Sequence, residues 1–93
     1  MSKKESIDLK NYVIDPNILS ELSLEMMEKN NIIPFKKEKN TLYVATSTPE
    51  DFELQSMIET EIGQPIKFVF SNNSDIKAAI LSRLKIKTIF GSL

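Results

Sequence analysis

The stretch NTLYVATSTPED, residues 40–51, holds the end of one structural element and the start of another. Its first half is rich in β-formers and alternates Leu42 and Val44 with more polar residues, which predicts a strand. Its second half places Thr48 before Pro49 and then a run of acidic residues. This pattern is typical of a helix start, with Thr48 as the N-cap and Pro49 at the first helical position.

Two elements are predicted upstream of this stretch. A helical region over residues 16–30 starts at an Asp-Pro pair and is either one helix or two pieces joined at Leu22-Ser23. Residues 32–37 have extended character, and a short polar turn separates them from residues 41–46. The two runs together predict a β-hairpin.

Downstream, apolar residues recur with helical spacing over residues 54–62, and Gly63 is suited to end that helix. Residues 66–70 alternate as a strand does, and the polar residues 71–74 provide caps for a last helix. Residues 85–93 alternate basic and apolar side chains. We interpret them as a linker, an extra strand or a contact for a molecule outside the chain.

The predicted order is helix, strand, strand, helix, strand, helix, which is an α+β fold in a single domain over residues 1–93. A chain of this length buries roughly 60–65% of its unfolded surface, enough for one modest core. We expect a three-stranded, mostly antiparallel sheet packed with helices, with the first strand central and both neighbours antiparallel to it. Residues 1–6 are predicted to be a disordered polar tail.

The composition disfavours an enzyme. The 93 residues include neither Cys nor His, so thiolate nucleophiles, imidazole bases and the usual transition-metal ligands are missing. The two glycines, Gly63 and Gly91, form no phosphate-binding loop, and no Walker motif is present. We therefore predict no catalytic residues, no metal and no cofactor.

Charge and hydropathy exclude further classes of partner. The formal net charge is −1, so nothing draws the whole chain towards nucleic acid. No apolar run approaches the length of a membrane span, and no signal-type segment follows the N-terminus. These features predict a cytoplasmic protein without direct membrane insertion.

Glu50, Asp51 and Glu53 are the densest group of acids. Paired carboxylates can perform acid–base chemistry or bind a hard cation. Carboxylates in the first turn of a helix also complement its dipole, and we favour this structural role.

Docking to another protein needs exposed anchors, and a few residues are suited to it. Lys36 and Lys37, with Lys39, form either a small anion-binding patch or a hairpin tip kept soluble by lysines. The candidate partner-binding residues are Ile86, Ile89, Phe90, Lys36 and Lys37, with Tyr12 or Tyr43 in second place. The residues predicted as core rather than ligand pocket are Met26, Met27, Met57, Phe35, Phe52, Phe68 and Phe70.

Several short motifs occur in an order that is more specific than any one of them. They are IDP at 14–16, IPF at 33–35, NTLYVA at 40–45, PED at 49–51, IG at 62–63, IKFVFS at 66–71 and DIKAAI at 75–80. Over about residues 7–81 the chain resembles the N-terminal domain of type II secretion and type IV pilus assembly ATPases. The family's usual Asp before the Pro is Thr48 here, a residue that also suits an N-cap.

The resemblance implies a non-catalytic, cytoplasmic module that precedes a hexameric ATPase core. Such a module docks the ATPase onto inner-membrane platform components of a secretion or pilus machine, or contacts the ATPase core, and lies peripheral to the inner membrane through that partner. Some relatives bind cyclic di-GMP through motifs that begin Arg-Leu-Gly. This sequence contains no such tripeptide and Arg83 is its only arginine, which argues against dinucleotide binding.

Three hypotheses follow from the sequence. The first is a docking module of a secretion or pilus ATPase. The alternative from another class is a regulatory domain that senses a nucleotide of the cyclic di-GMP type. A small enzyme that uses the Glu50 and Asp51 carboxylates ranks third.

Overall fold

Three strands form one sheet, in the spatial order β1 (Ile32–Glu38), β2 (Thr41–Thr46) and β3 (Ile66–Phe70). The computed structural model describes residues 5–91, with side chains described up to Arg83. β1 and β2 form the predicted antiparallel hairpin. Its turn places Lys39 and Asn40 in the left-handed region, with φ of 48° and 71°.

The α+β class and the order of elements are confirmed, but the predicted strand order is wrong. β2, not β1, is central, and β3 runs parallel to it, so the sheet is mixed. The reason lies in the connection between the two strands. A helix links β2 to β3, and such a crossover returns the chain beside the preceding strand in the same direction.

The helical region before the hairpin is divided, as one of the two predicted alternatives had it. α1 (Pro16–Leu19) is capped by the carboxylate of Asp15, and α2 (Leu24–Asn30) by the hydroxyl of Ser23. A short 3-10 helix, Leu9–Asn11, precedes them.

α3 (Phe52–Ile62) begins later than predicted. Its N-cap is Asp51, whose Oδ1 accepts a hydrogen bond from the Leu54 amide at 3.0 Å. The predicted N-cap, Thr48, instead starts a turn in which its carbonyl accepts from the Asp51 amide at 3.0 Å. The helix ends as predicted at Gly63, which has a left-handed φ of 71°.

The secondary structure near both ends of the chain differs from the prediction. α4 (Asn73–Gly91) continues through residues 85–91, so this segment is helical and not an extra strand. No helix-breaking residue occurs between Asn73 and Gly91, so the helix propagates through the alternating pattern. The predicted polar tail includes Glu5 and Ser6, but the Phe70 amide donates to the Glu5 carbonyl and Ser6 forms a parallel bridge with Phe70.

The core gathers apolar side chains from every layer. Its buried members include Leu22, Met27, Ile32, Ile33, Leu42, Val44, Ile58, Phe68, Ile76 and Ile80. Three residues predicted as core are not in it, since Phe52 is 70% exposed, Met57 is 48% exposed, and Phe70 is half-buried outside the cluster. α3 packs on β3 through Ile58, with Leu54 and Ile62 on the same stripe, which leaves Phe52 and Met57 towards solvent.

Candidate docking surface

The sheet register brings one residue from each strand into a row. Lys36 of β1 pairs with Tyr43 of β2, and Tyr43 pairs with Lys67 of β3. Residues paired across neighbouring strands point to the same face of a sheet. We call this surface the Tyr43 face and define it as Glu5, Tyr12, Phe35, Lys36, Tyr43 and Lys67.

Three aromatic rings form the apolar part of the Tyr43 face. The Phe35 ring contacts Tyr12 edge to face at 5.6 Å between centroids and Tyr43 at 6.3 Å. Phe35 lies where the β1–β2 register shifts between Pro34 and Lys36, and it is buried. Tyr12 follows the 3-10 helix and keeps 38% of its surface exposed. Edge-to-face pairs of this kind contribute about 0.5–1.5 kcal/mol each beyond area burial, so the cluster holds its shape.

Two lysines, each paired with a carboxylate, lie beside the Tyr43 ring. The Nζ atoms of Lys36 and Lys67 lie 4.7 Å and 5.8 Å from the Tyr43 ring centroid, within cation–π range. Lys36 also pairs with Glu38 at 3.5 Å, and Lys67 pairs with Glu5 at 3.1 Å. The row across the sheet is therefore ammonium, aromatic ring, ammonium and the Glu5 carboxylate, whereas Glu38 lies two residues from Lys36 along β1.

The Glu5–Lys67 pair is exposed, with half of the Lys67 side chain open to water. The hydrogen bond to Glu5, together with the charge of that carboxylate, raises the pKa of Lys67 above its ordinary value. Exposed ion pairs contribute little to folding stability. The pair places the Lys67 ammonium beside one carboxylate and leaves half of the lysine side chain open to water.

A shallow cavity of about 470 Å³ opens on this surface, lined by the Tyr43 face together with Ser6, Ile7 and Val69. Two ammonium groups and three aromatic rings are among its lining residues, and they suit a group that carries both a carboxylate and an apolar part. Within the part of the chain that the structure describes, no group of three or more acidic, histidine or cysteine residues is placed to hold a metal ion.

The two predicted hairpin lysines are separated by the structure. Lys36 lies on the Tyr43 face, whereas Lys37 pairs with Leu42 on the other face and forms an ion pair with Glu21 at 3.5 Å. They do not form one anion-binding patch, because successive strand residues point to opposite faces. A partner contact by either lysine stays a prediction.

Of the other predicted contact residues, the structure describes the side chains of two. Tyr12 and Tyr43 come together through Phe35. The side chains of Ile86, Ile89 and Phe90 lie outside the described residues, so their partner-binding role also stays a prediction.

Lys67 and Glu5 were missed by the sequence analysis. The position of Lys67 beside Tyr43 depends on β3 pairing with β2, which the predicted strand order did not have. Glu5 falls within the predicted disordered tail. Its signal was weak, because one glutamate before an isolated Ile7 does not identify a β-contact.

The acid cluster acts structurally at Asp51, which caps α3, while Glu53 lies in the first turn of that helix. A carboxylate there complements the helix dipole. This placement agrees with the interpretation that we favoured for the cluster.

The outer edge of β3 is protected by hydrogen bonds at both ends. At one end, the Phe70 amide donates to the Glu5 carbonyl and the Phe70 carbonyl accepts from the Ile7 amide. At the other end, the Ile66 amide donates to the Glu59 carboxylate and the Ile66 carbonyl accepts from the Gln55 side chain. A protected edge is poorly suited to strand addition. The exposed face of the sheet is therefore a better docking surface than its β3 edge.

None of the helices within residues 5–91 combines the length and the apolar character needed to cross a membrane. This finding concerns the described part of the chain alone.

Comparison with solved structures shows the same fold in secretion and pilus proteins. The structure of MshE with cdg superposes with a TM-score of 0.74 at 18% identity, covering 83% of this chain and 56% of that one. The N-terminal domain of XpsE matches with a TM-score of 0.70 at 17% identity, covering 83% and 55%, and a second crystal form gives the same TM-score at 16%. The chain thus spans about half the length of these structures.

None of the curated proteins compared with the sequence matches it. A family model, the MshEN domain, matches residues 3–85. Together with the superpositions, this match confirms the predicted resemblance to the N-terminal domains of secretion and pilus ATPases. The chain belongs to the MshEN domain family.

Proposed function

We propose that the chain is a non-catalytic protein–protein docking module of a type II secretion or type IV pilus assembly ATPase. Membership of the MshEN domain family supports the context of the machine. The Tyr43 face is the observation that supports docking, because the half-buried Tyr43 ring lies between two lysines and the Tyr12 ring of the same cluster is 38% exposed. ATP hydrolysis would belong to another part of the parent protein.

The partner in this proposal is an inner-membrane platform component of the machine, or the ATPase core. It would place an apolar side chain against Tyr12 and Tyr43 and a carboxylate on Lys36 or Lys67. Tyrosines in the centre of an interface often supply most of its binding energy. The exposed lysines would mainly orient the partner and speed its approach. Docking of this kind would hold the chain in the cytoplasm at the inner membrane without inserting it.

Site-specific photo-crosslinking in the native host tests this proposal. A benzophenone amino acid at position 43 should form an adduct with a platform component or with the ATPase core, identified by mass spectrometry. The matched control places the same probe at Thr60, which is exposed on α3. Adducts at position 60 but not at 43, or adducts at 43 only with proteins outside the machine, would overturn the proposal.

The second candidate function is nucleotide sensing, and a specific observation favours it. MshE, whose structure matches this fold, was solved with cdg. Against it, the chain lacks the Arg-Leu-Gly motifs of the relatives that bind cyclic di-GMP. We expect calorimetric titration with cyclic di-GMP at high micromolar concentration to give no binding heat. Saturable heat that is lost in Lys67→Met would establish the sensor instead.

A further inference from the structure

Residues 5–7 close one side of the cavity on the Tyr43 face, and we call this segment the N-terminal strap. Its backbone adds to the outer edge of β3. The Phe70 amide donates to the Glu5 carbonyl, and the Ile7 amide donates to the Phe70 carbonyl, both at 3.0 Å. All three residues of the strap line the cavity, so the chain itself supplies part of the proposed docking surface.

The strap also sets the charge of this cavity. Among the described residues that line it, Lys36 and Lys67 are basic and Glu5 is the single acid. Two ammonium groups and one carboxylate give the lining a formal charge of +1, and the two ammonium groups without that carboxylate give +2. The attraction of the cavity for an acidic group therefore depends on where the Glu5 side chain lies.

The two lysines differ in how their carboxylates are attached. Glu38 lies two residues from Lys36 on the same strand, so the strand keeps it beside its lysine. Glu5, in contrast, reaches Lys67 from a separate segment. Only the carboxylate on Lys67 can therefore leave without a change in the hairpin.

The outer part of the strap is weakly held. Ile7 is half-buried and packs against the core, whereas Glu5 and Ser6 are exposed. The Glu5 carboxylate lies 3.1 Å from the Lys67 ammonium, and the two side chains are 63% and 50% exposed. Because exposed ion pairs contribute little to stability, another carboxylate can replace that of Glu5 while Ile7 stays in place.

We propose that Glu5 is an internal competitor for the carboxylate position of the Tyr43 face, and that a partner docks by displacing Glu5 from Lys67. This inference rests on the proposed docking function and names the lysine that receives the partner's carboxylate. A simple acid gains at Lys67 only what Glu5 loses. The Lys67 ammonium lies 5.8 Å from the Tyr43 ring centroid, so a partner that also brings an apolar group gains contact with that ring.

Affinity measurements with the partner crosslinked at position 43 test the proposal, at about 0.05 M salt where charges are little screened. Glu5→Gln removes the competing charge and should tighten the complex about two- to fivefold, as expected for the release of an exposed ion pair. The control is Glu21→Gln, which removes the same charge from an ion pair with Lys37 on the opposite face. It should bind as the wild type does.

A double variant shows whether the effect acts through Lys67. Lys67→Met should weaken the complex, and Glu5→Gln should have no further effect beside it, because no ammonium is left to release. Circular dichroism confirms that each variant is folded.

Four results would each overturn the proposal while leaving docking at the Tyr43 face intact. They are no gain in affinity for Glu5→Gln, an equal gain for Glu21→Gln, no weakening by Lys67→Met, and a gain that persists beside Lys67→Met. Absence of any partner from the machine at position 43 would instead overturn the docking function, and this inference with it.

Discussion

Replacement of Asp51 by alanine tests where α3 begins, a point on which the sequence pattern and the structure differ. The Asp51 carboxylate accepts the Leu54 amide proton at 3.0 Å and satisfies one of the free amides of the first turn. Removing an N-cap of this kind costs about 1 kcal/mol, within a range of roughly 0.5–2 kcal/mol. Asp51→Asn keeps an acceptor and removes the charge, so it should lose only the dipole contribution of about 0.3–1 kcal/mol.

Thr48→Ala is the matched control, because the sequence pattern assigns the cap to Thr48. Its backbone amide donates to Thr46 Oγ1 at 3.1 Å, and this bond survives the substitution. Its hydroxyl lies 3.4 Å from the same oxygen, at the far limit of a hydrogen bond. We therefore expect Thr48→Ala to change the free energy of unfolding by no more than about 0.5 kcal/mol.

Urea unfolding followed by far-ultraviolet circular dichroism measures these differences. For a domain of this size a loss of 1 kcal/mol lowers the melting temperature by about 4–8 °C. With an m-value of about 1–2 kcal/mol/M, the same loss lowers the urea midpoint by about 0.5–1 M. If Thr48→Ala costs as much as Asp51→Ala or more, the helix starts at Thr48 and the capping argument is refuted.

Three further substitutions examine the core and its border. Ile58→Ala should lower the free energy of unfolding by about 2–5 kcal/mol, because Ile58 is fully buried where α3 packs on β3. The neighbouring Met57→Ala, at a half-exposed position, should change it by less than about 0.5 kcal/mol in the same urea titration, and equal effects would contradict this packing. Ser71→Ala should leave the midpoint unchanged or raise it, since the buried Ser71 hydroxyl has no hydrogen-bond partner within the described residues. A loss above about 1 kcal/mol would show that the hydroxyl is bonded.

Local signals in the sequence predicted the elements well. The Asp15 cap, the break at Ser23, the hairpin turn at Asn40 and the helix end at Gly63 each depend on a few neighbouring residues. Their physics is contained in short segments, so a single sequence is enough to read them.

The pairing of the strands and the choice between two possible N-caps could not be predicted from short segments, because they depend on the surrounding structure. Whether β3 joins β1 or β2 is decided by the helical connection through α3 and by packing across the whole sheet. Thr48 and Asp51 both have the chemistry of a cap, and the turn between them decides which one acts. Phe52 is exposed because it lies off the stripe of Leu54, Ile58 and Ile62 that α3 packs against the core.

On the Tyr43 face, too, the residue types could be predicted from the sequence but their arrangement could not. Tyr12, Tyr43 and Lys36 were identified as contact residues from their type, but their juxtaposition depends on the strand register and on the irregularity at Phe35. Lys67 completes the row only when β3 is parallel to β2. Because the predicted strand order was wrong, the position of Lys67 on the Tyr43 face was not predicted.

The central claim is that the Tyr43 face docks a protein partner, and an affinity measurement tests it most directly. The dissociation constant of the chain for the partner crosslinked at position 43 is measured for the wild type, Tyr43→Ala and Lys37→Met. Lys37 lies on the opposite face of the same hairpin and provides the control. Loss of a central aromatic anchor should cost about 2 kcal/mol or more, which is about a 30-fold weaker complex, while Lys37→Met should bind as the wild type does. Equal affinity of Tyr43→Ala and the wild type would contradict the account.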